Sequence, residues 1–341
     1  MSWVELQPVL CQVGILAILA LSLNVLCGLT GLLQLGHAGF YAIGAYTAGC
    51  YAIYATVPAL GWCNLIPAAA AGMAAAALCS LVIGLPCLRL AGDYLAIATL
   101  GFAEIVRLIL TNAELPGGRM FPGETIGGPT GIAFTEFPGQ VWPGQEHYSA
   151  EYATLPVIWL GVGVTYLFLL NIKRSAIGRA FLCIREDEIA ARTMGINVPR
   201  YKLLAFLLSA AFAGLAGALF FHQQLRINPG NFNLLKSIEV LLIVVLGGMG
   251  SLTGAICAAF LLGLLPCLLR HLDLSGVAFL PAILQKPLSE YSMLLYALLL
   301  ILLTRLLPNG VFAMHELPTW LRPRPKTSPR RKAKAPEGRK P

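Results

Sequence analysis

Charged and amide side chains inside long apolar runs are where this sequence could do chemistry, because each is costly in lipid unless it meets a partner or a solute. Asn24, Glu104, Arg107 and Glu239 stand in such runs. Glu104 and Arg107 are three residues apart, share one helical face and can neutralise each other. Arg107 lies near the end of its run, where its stem can snorkel to the interface. Glu239 opens a short run and can be interfacial. Each of these residues either lines a solute path or serves the structure.

A second feature is the stretch GLTGLLQLGHAGF at 28–40, which joins two apolar runs. Irregular backbone at membrane depth is tolerated only where it is buried in protein or lines a water-filled cavity. A glycine-interrupted apolar segment also points to a transport site in membrane carriers. Gln34, Gly36 and His37 are therefore candidates for the path, the alternative being a tight interhelical loop with a hydrogen-bonded structural histidine.

A third feature is IREDEIAARTMGI at 184–196, set in the only mixed-charge, helix-favouring part of the chain. Helix formers fill 185–194 and Gly195 is a natural stop, so one short helix is expected across the membrane face. Arg185, Glu186, Asp187, Glu188, Ala190, Ala191, Gly195 and Ile196 would form a docking surface for a soluble partner. The alternative is a solvated loop whose basic residues only set topology.

Signatures of other chemistry are missing. The sequence has no phosphate-binding G-x-x-x-x-G-K-[ST], no G-x-S-x-G, no H-E-x-x-H and no paired cysteine ligands. The nine cysteines lie mostly in apolar runs, which suits small apolar fillers. No enzyme, no metal and no cofactor bound by this chain are expected.

The elements that must carry these residues are membrane helices. Of 341 residues, 57% are hydrophobic and 12% charged, against about 25% charged in soluble domains. Runs at 9–28, 40–57, 65–88, 94–111, 153–172, 203–221 and 293–307 approach the length of a span. The run at 237–269 is too long for one span and is broken by GGMGS at 247–251, so it reads as two, the first short. The expected fold is all-α: a polytopic transmembrane bundle of about nine spans with glycine-rich broken segments. Residues 1–310 form the membrane domain, and the basic, proline-rich stretch 311–341 forms a disordered tail.

Lys and Arg crowd into 173–202 and into the tail, and both should face the cytoplasm. The acidic, Gly- and Pro-rich loop 112–152 should lie outside. One span, 153–172, separates these two regions, so the assignments agree. The net charge of +8 is thereby explained by topology, without nucleic acid.

Several ordered stretches resemble the M-type permease subunit of branched-chain amino acid ABC importers. They are 28–40 followed by GAY at 44–46, LPCLRLAGDYLAI at 85–97, GRAF at 178–181, the block 184–195, YKLLAF at 201–206 and GGMGSL at 247–252. The likeness runs from about residue 16 to residue 308. It implies an inner-membrane heterodimer with a second permease subunit, two cytoplasmic ATPases that hold ATP and magnesium, and a periplasmic solute-binding protein. The segment 173–202 would then couple to an ATPase. Importers of this kind carry E-A-A-x-x-x-G there. This chain has Ala190, Ala191 and Gly195 at that spacing, but Glu188 comes one residue early, Ile189 intervenes and the later I-x-L-P is missing. The implied solutes are leucine, isoleucine and valine, with urea or short-chain amides as the alternative. An autonomous channel or secondary carrier is a rival of another class, though the few intramembrane carboxylates give it little support.

Overall fold

The computed structural model describes residues 3–55, 64–87, 90, 92–116, 125–133, 149–224, 226–271, 301 and 305. Residues 311–341, most of 293–307 and the segments 117–124 and 134–148 of the acidic loop lie outside them. Within the described residues the chain is a helix bundle. Its helices are α1 (Trp3–Asn24), α2 (His37–Tyr54), α3 (Leu65–Cys87), α4 (Asp93–Asn112), α5 (Ser149–Arg174), α6 (Ala176–Glu186), α7 (Glu188–Thr193), α8 (Val198–Gln224), α9 (Leu234–Gly247) and α10 (Leu252–His271). A π-helical turn, Val25–Leu29, closes α1. Two short antiparallel pairs sit beside the bundle: β1 (Glu114–Pro116) with β2 (Thr125–Gly127), and β3 (Ile132–Ala133) with β4 (Arg226–Ile227).

Among the described residues, five helices are long and apolar enough to cross a membrane: Leu6–Leu29, Leu65–Cys87, Asp93–Asn112, Leu155–Arg174 and Val198–Gln224. The expected break within 237–269 is present, since α9 stops at Gly247 and α10 starts at Leu252. α9 has 14 residues, a rise of about 21 Å, short of a hydrocarbon core of about 30 Å. α2 is not among the five spanning candidates. It is wrapped by α3 and α8, so Tyr41, Tyr46 and its glycines Gly39, Gly44 and Gly49 meet protein rather than lipid.

The helices divide by environment. In α1, 83% of the apolar window is buried, against 17% in α4 and 22% in α5. α1 is the axis of the bundle, packed by α5, α8, α9 and α10. Ile66, Leu78 and Val82 of α3, Ile97, Ile105 and Ile109 of α4, and Leu160 and Leu167 of α5 point outward. A chain with such faces is solvated by lipid or by another apolar subunit.

Small residues bring α2, α3 and α8 together. A methyl group on Gly44 would collide with the backbone of Gly214, and one on Gly214 would meet Gly72 and Ala76. Backbone contact of this kind is how helices associate where apolar burial no longer drives them. Gly44→Ala should therefore destabilise the bundle by about 1–3 kcal/mol, the usual cost of overpacking. Gly163→Ala, where no neighbour lies within 4 Å of the added carbon, should be neutral or slightly stabilising. Thermal unfolding of the two variants in detergent checks the difference.

Candidate functional site

The segment after α5 forms two helices, α6 and α7, which corrects the single helix expected over 185–194. Asp187 interrupts it with extended backbone and caps α7: its carboxylate accepts from the N–H groups of Ile189 at 2.8 Å and Ala190 at 3.1 Å. A short acidic side chain satisfying the first free N–H groups is a better helix start than a helix interior. Gly195 is the expected stop. At φ +82° it lets Ile196 donate to the Ala191 carbonyl and Gly195 to the Arg192 carbonyl, the paired bonds of a left-handed helix end.

α6 is amphipathic, and Ala180, Phe181 and Ile184 are buried on its inner face. Ser175 starts it, accepting from Ile177 N–H at 3.2 Å. On the other side, α6 and α7 frame an apolar groove of about 590 Å³. Leu182, Cys183, Ala190, Ala191, Met194 and Ile196 wall it, together with Glu186 and Asp187. Met194 is 82% exposed and Ile189 77%. Apolar side chains this open, on helices flanked by charge, form a surface suited to a protein partner.

Glu188 fastens α7 to α8. Its carboxylate receives Lys202 Nζ and Arg192 Nη2, each at 2.6 Å. The Lys202 ammonium, with Arg192 beside it, holds the Glu188 carboxyl below the usual carboxylate range.

Arg185 faces inward. Its Nη1 donates to the Gly28 carbonyl at 2.6 Å, and so ties α6 to the π-turn that ends α1. Gly28 in turn adjoins the turn between α9 and α10. Asn24, fully buried, donates through Nδ2 to the Ser251 carbonyl and accepts at Oδ1 from Gly250 N–H, both at 2.8 Å. Lys173, at the end of α5, donates to the Gly250 carbonyl at 2.6 Å. Five helices (α1, α5, α6, α9 and α10) thus meet in one polar knot.

The stretch 30–36 leaves this knot as irregular backbone. Thr30, Gln34 and Gly36 are buried, and Leu35 N–H donates to Thr99 Oγ1 of α4 at 3.2 Å. His37 is 1% exposed, with Nε2 2.8 Å from Ser22 Oγ. That hydroxyl donates to the Leu19 carbonyl, so the imidazole serves as the donor to Ser22. His37 Nδ1 and Gln34 Oε1 are buried without a hydrogen-bond partner among the described residues.

The remaining candidates sit elsewhere. Glu104 and Arg107 form a bidentate pair, with Arg107 Nε 3.0 Å from each carboxylate oxygen. Their side chains are 44% and 29% exposed on the outer face of α4. Glu239 pairs with Lys236 at 2.9 Å in the opening turns of α9. Thus the structure joins Asn24 to Arg185, and leaves the pairs on α4 and α9 apart from them. Sequence reading missed Lys173, Ser22, Thr99 and Ser237, whose hydroxyl accepts from Ala38 N–H at 3.0 Å. Lys173 reads as a topology marker. The three hydroxyl residues share one local signal, a polar group inside an apolar run.

Residues 6–304 match the family described as branched-chain amino acid transport system / permease component. The chain belongs to that family. It is similar to the high-affinity branched-chain amino acid transport system permease protein LivM of Escherichia coli K12, with 41% identity over 311 residues, or 87% of this chain and 67% of LivM. It is also similar to the permease protein LivH of Salmonella typhimurium, 27% identical over 307 residues, covering 88% of this chain and 92% of LivH. The autoinducer 2 import system permease protein LsrC of an Enterobacter species is 34% identical over 122 residues, 33% of this chain and 35% of LsrC. No solved structure matches the chain significantly. The permease is therefore a multi-pass membrane transport subunit, of a family that is not one of enzymes.

Glu188→Gln should lower the melting temperature of the permease in detergent at neutral pH, through the loss of no more than about 1 kcal/mol for a partly exposed pair. Because the folded carboxyl titrates below its ordinary value, its contribution is present above that value. It fades as pH falls through the depressed one, so wild type and variant should converge only once the pH lies below that depressed value.

Proposed function

We propose that this permease carries branched-chain amino acids inward as the membrane subunit of an ATP-binding-cassette importer. Its partners would be a second permease, two ATPases on the cytoplasmic side and a solute-binding protein outside. ATP and magnesium belong to the ATPases, and this chain holds no cofactor of its own. The observation that carries the reading is the Arg185–Gly28 hydrogen bond, which links an open apolar groove to the end of the buried central helix.

An ATPase surface seated in the groove between α6 and α7 would move both helices when nucleotide closes the ATPase pair. Arg185 and Lys173 would transmit that motion to the Gly28 and Gly250 carbonyls, and so to α1, α9 and α10. A hydrogen bond to a charged group contributes about 1.5–3 kcal/mol, enough to bias helices that have two nearly equal arrangements. The solute would pass between this chain and its partner permease. The exposed Glu104–Arg107 pair favours α4 as the face toward that partner, since a charged pair turned to lipid is costly. The segment 173–202 and the basic tail would lie on the cytoplasmic side.

Reconstitution with the partner permease, ATPases and binding protein tests the reading. ATP-dependent leucine uptake is expected, and Arg185→Glu or Gly195→Trp should abolish it while leaving the chain in the membrane. Wild-type transport by both variants would remove the coupling role. Uptake that ignores ATP would favour a channel or secondary carrier, and ATP-driven uptake of urea in place of leucine would move the solute class to amides.

A further inference from the structure

A second, partly open pocket lies at the other end of α1 and α9. It is a cavity of about 280 Å³ bounded by α1, α2, α8 and the first turn of α9. Ile15, Leu16 and Phe220 supply its apolar wall, while Gln12, Gln224 and Lys236 bring amide and ammonium groups to the same space. Binding sites for small molecules combine those elements, and here the polar groups make up the larger share of the wall. The volume is at the small end of that class, which suits a solute of amino-acid size. Lys236 is 19% exposed, and its ammonium rests 2.9 Å from the carboxylate of Glu239, one turn along α9.

A lysine kept largely out of water inside an apolar bundle is costly unless it is paired, and such groups mark solute pathways. Here the pair itself suggests the ligand. Empty, Lys236 and Glu239 neutralise each other. A molecule that presents one carboxylate and one ammonium on the same carbon can exchange with both partners and leave the net charge of the site unchanged. A neutral amide leaves the net charge unchanged too, but it brings no full charge to replace either member of the pair.

We propose that this cavity is a transit site for a zwitterionic amino acid. Lys236 receives its carboxylate, Glu239 its ammonium, and Ile15, Leu16 and Phe220 its aliphatic side chain. The proposal rests on the reading of the chain as an amino-acid permease and adds the site and its charge pattern. The site is also connected to the coupling knot. α1 runs from Gln12 to the π-turn held by Arg185, and α9 runs from Lys236 to the turn held by Lys173 and Asn24. A shift of either helix along its axis changes the cavity.

The test uses the complete reconstituted importer and a diazirine analogue of leucine as photoprobe, alongside ATP-driven leucine uptake and ATP hydrolysis. Labelling of peptides from the Gln12 region of α1 or the Phe220 region of α8 is expected, competed by leucine and not by acetamide. Lys236→Gln and Glu239→Gln should each lower uptake about tenfold or more, the scale of one charge-assisted hydrogen bond, while hydrolysis stimulated by the binding protein persists. Lys236→Arg, which keeps the charge, should recover most of the uptake, and co-purification with the ATPases reports assembly of every variant. Wild-type uptake by both neutral variants, or the absence of leucine-competed label on α1 and α8, overturns the transit site and leaves the importer standing. Failure of the wild-type complex to take up leucine removes both.

Discussion

The knot around Gly28 is the constraint from which the rest of the bundle follows. α1 is buried on nearly every side, so its backbone cannot turn to water when its regular hydrogen bonding ends in the π-turn Val25–Leu29. Buried carbonyl and N–H groups must find partners within the protein. They find them from far along the chain: Arg185 for the Gly28 carbonyl, and Asn24 with Lys173 for the Gly250–Ser251 turn. Residues 77 to 227 positions apart are held together by a local shortage of hydrogen bonds.

That arrangement gives a mechanical character to the two ends of the molecule. At one end lies an apolar groove with exposed Ile189 and Met194, stiffened by the Asp187 cap, the Gly195 stop and the Glu188 ion pairs. At the other lies a cluster of rings, with Tyr41 and Phe232 at 5.0 Å and Tyr41 and Phe220 at 5.4 Å, beside the polar cavity. α1 and α9 connect the two ends. A helix transmits displacement along its axis because its hydrogen bonds resist stretching, whereas the irregular stretch 30–36 and the 248–251 turn are where the chain can change direction.

The outward faces follow a different logic. α3, α4 and α5 expose isoleucine, leucine and valine in quantity, while α2, rich in glycine and tyrosine, is kept inside. In water this pattern would be inverted. In a membrane the interior is selected for close backbone approach and for satisfied polar groups, and the exterior for solubility in hydrocarbon. The Glu104–Arg107 pair breaks that outward pattern.

The sequence by itself determined the class of the protein and most of its helices. Hydrophobic runs long enough to span lipid are local properties of the chain, and so are the stop at Gly195 and the break at 247–251. Residues 184–196 stand out in the sequence as a docking candidate because they concentrate mixed charge where the rest of the chain has almost none. The division into α6 and α7 depended on one Asp187 side chain choosing to cap rather than to continue a helix, a contest between local hydrogen bonds that composition does not decide. Only the tertiary structure decided that Arg185 reaches Gly28, that Asn24 staples the α9–α10 turn, and that Lys236 faces a cavity shared with α1 and α8. Those partners are far apart in the chain, and a buried polar group accepts whichever neighbour the packing of small residues brings within about 3 Å.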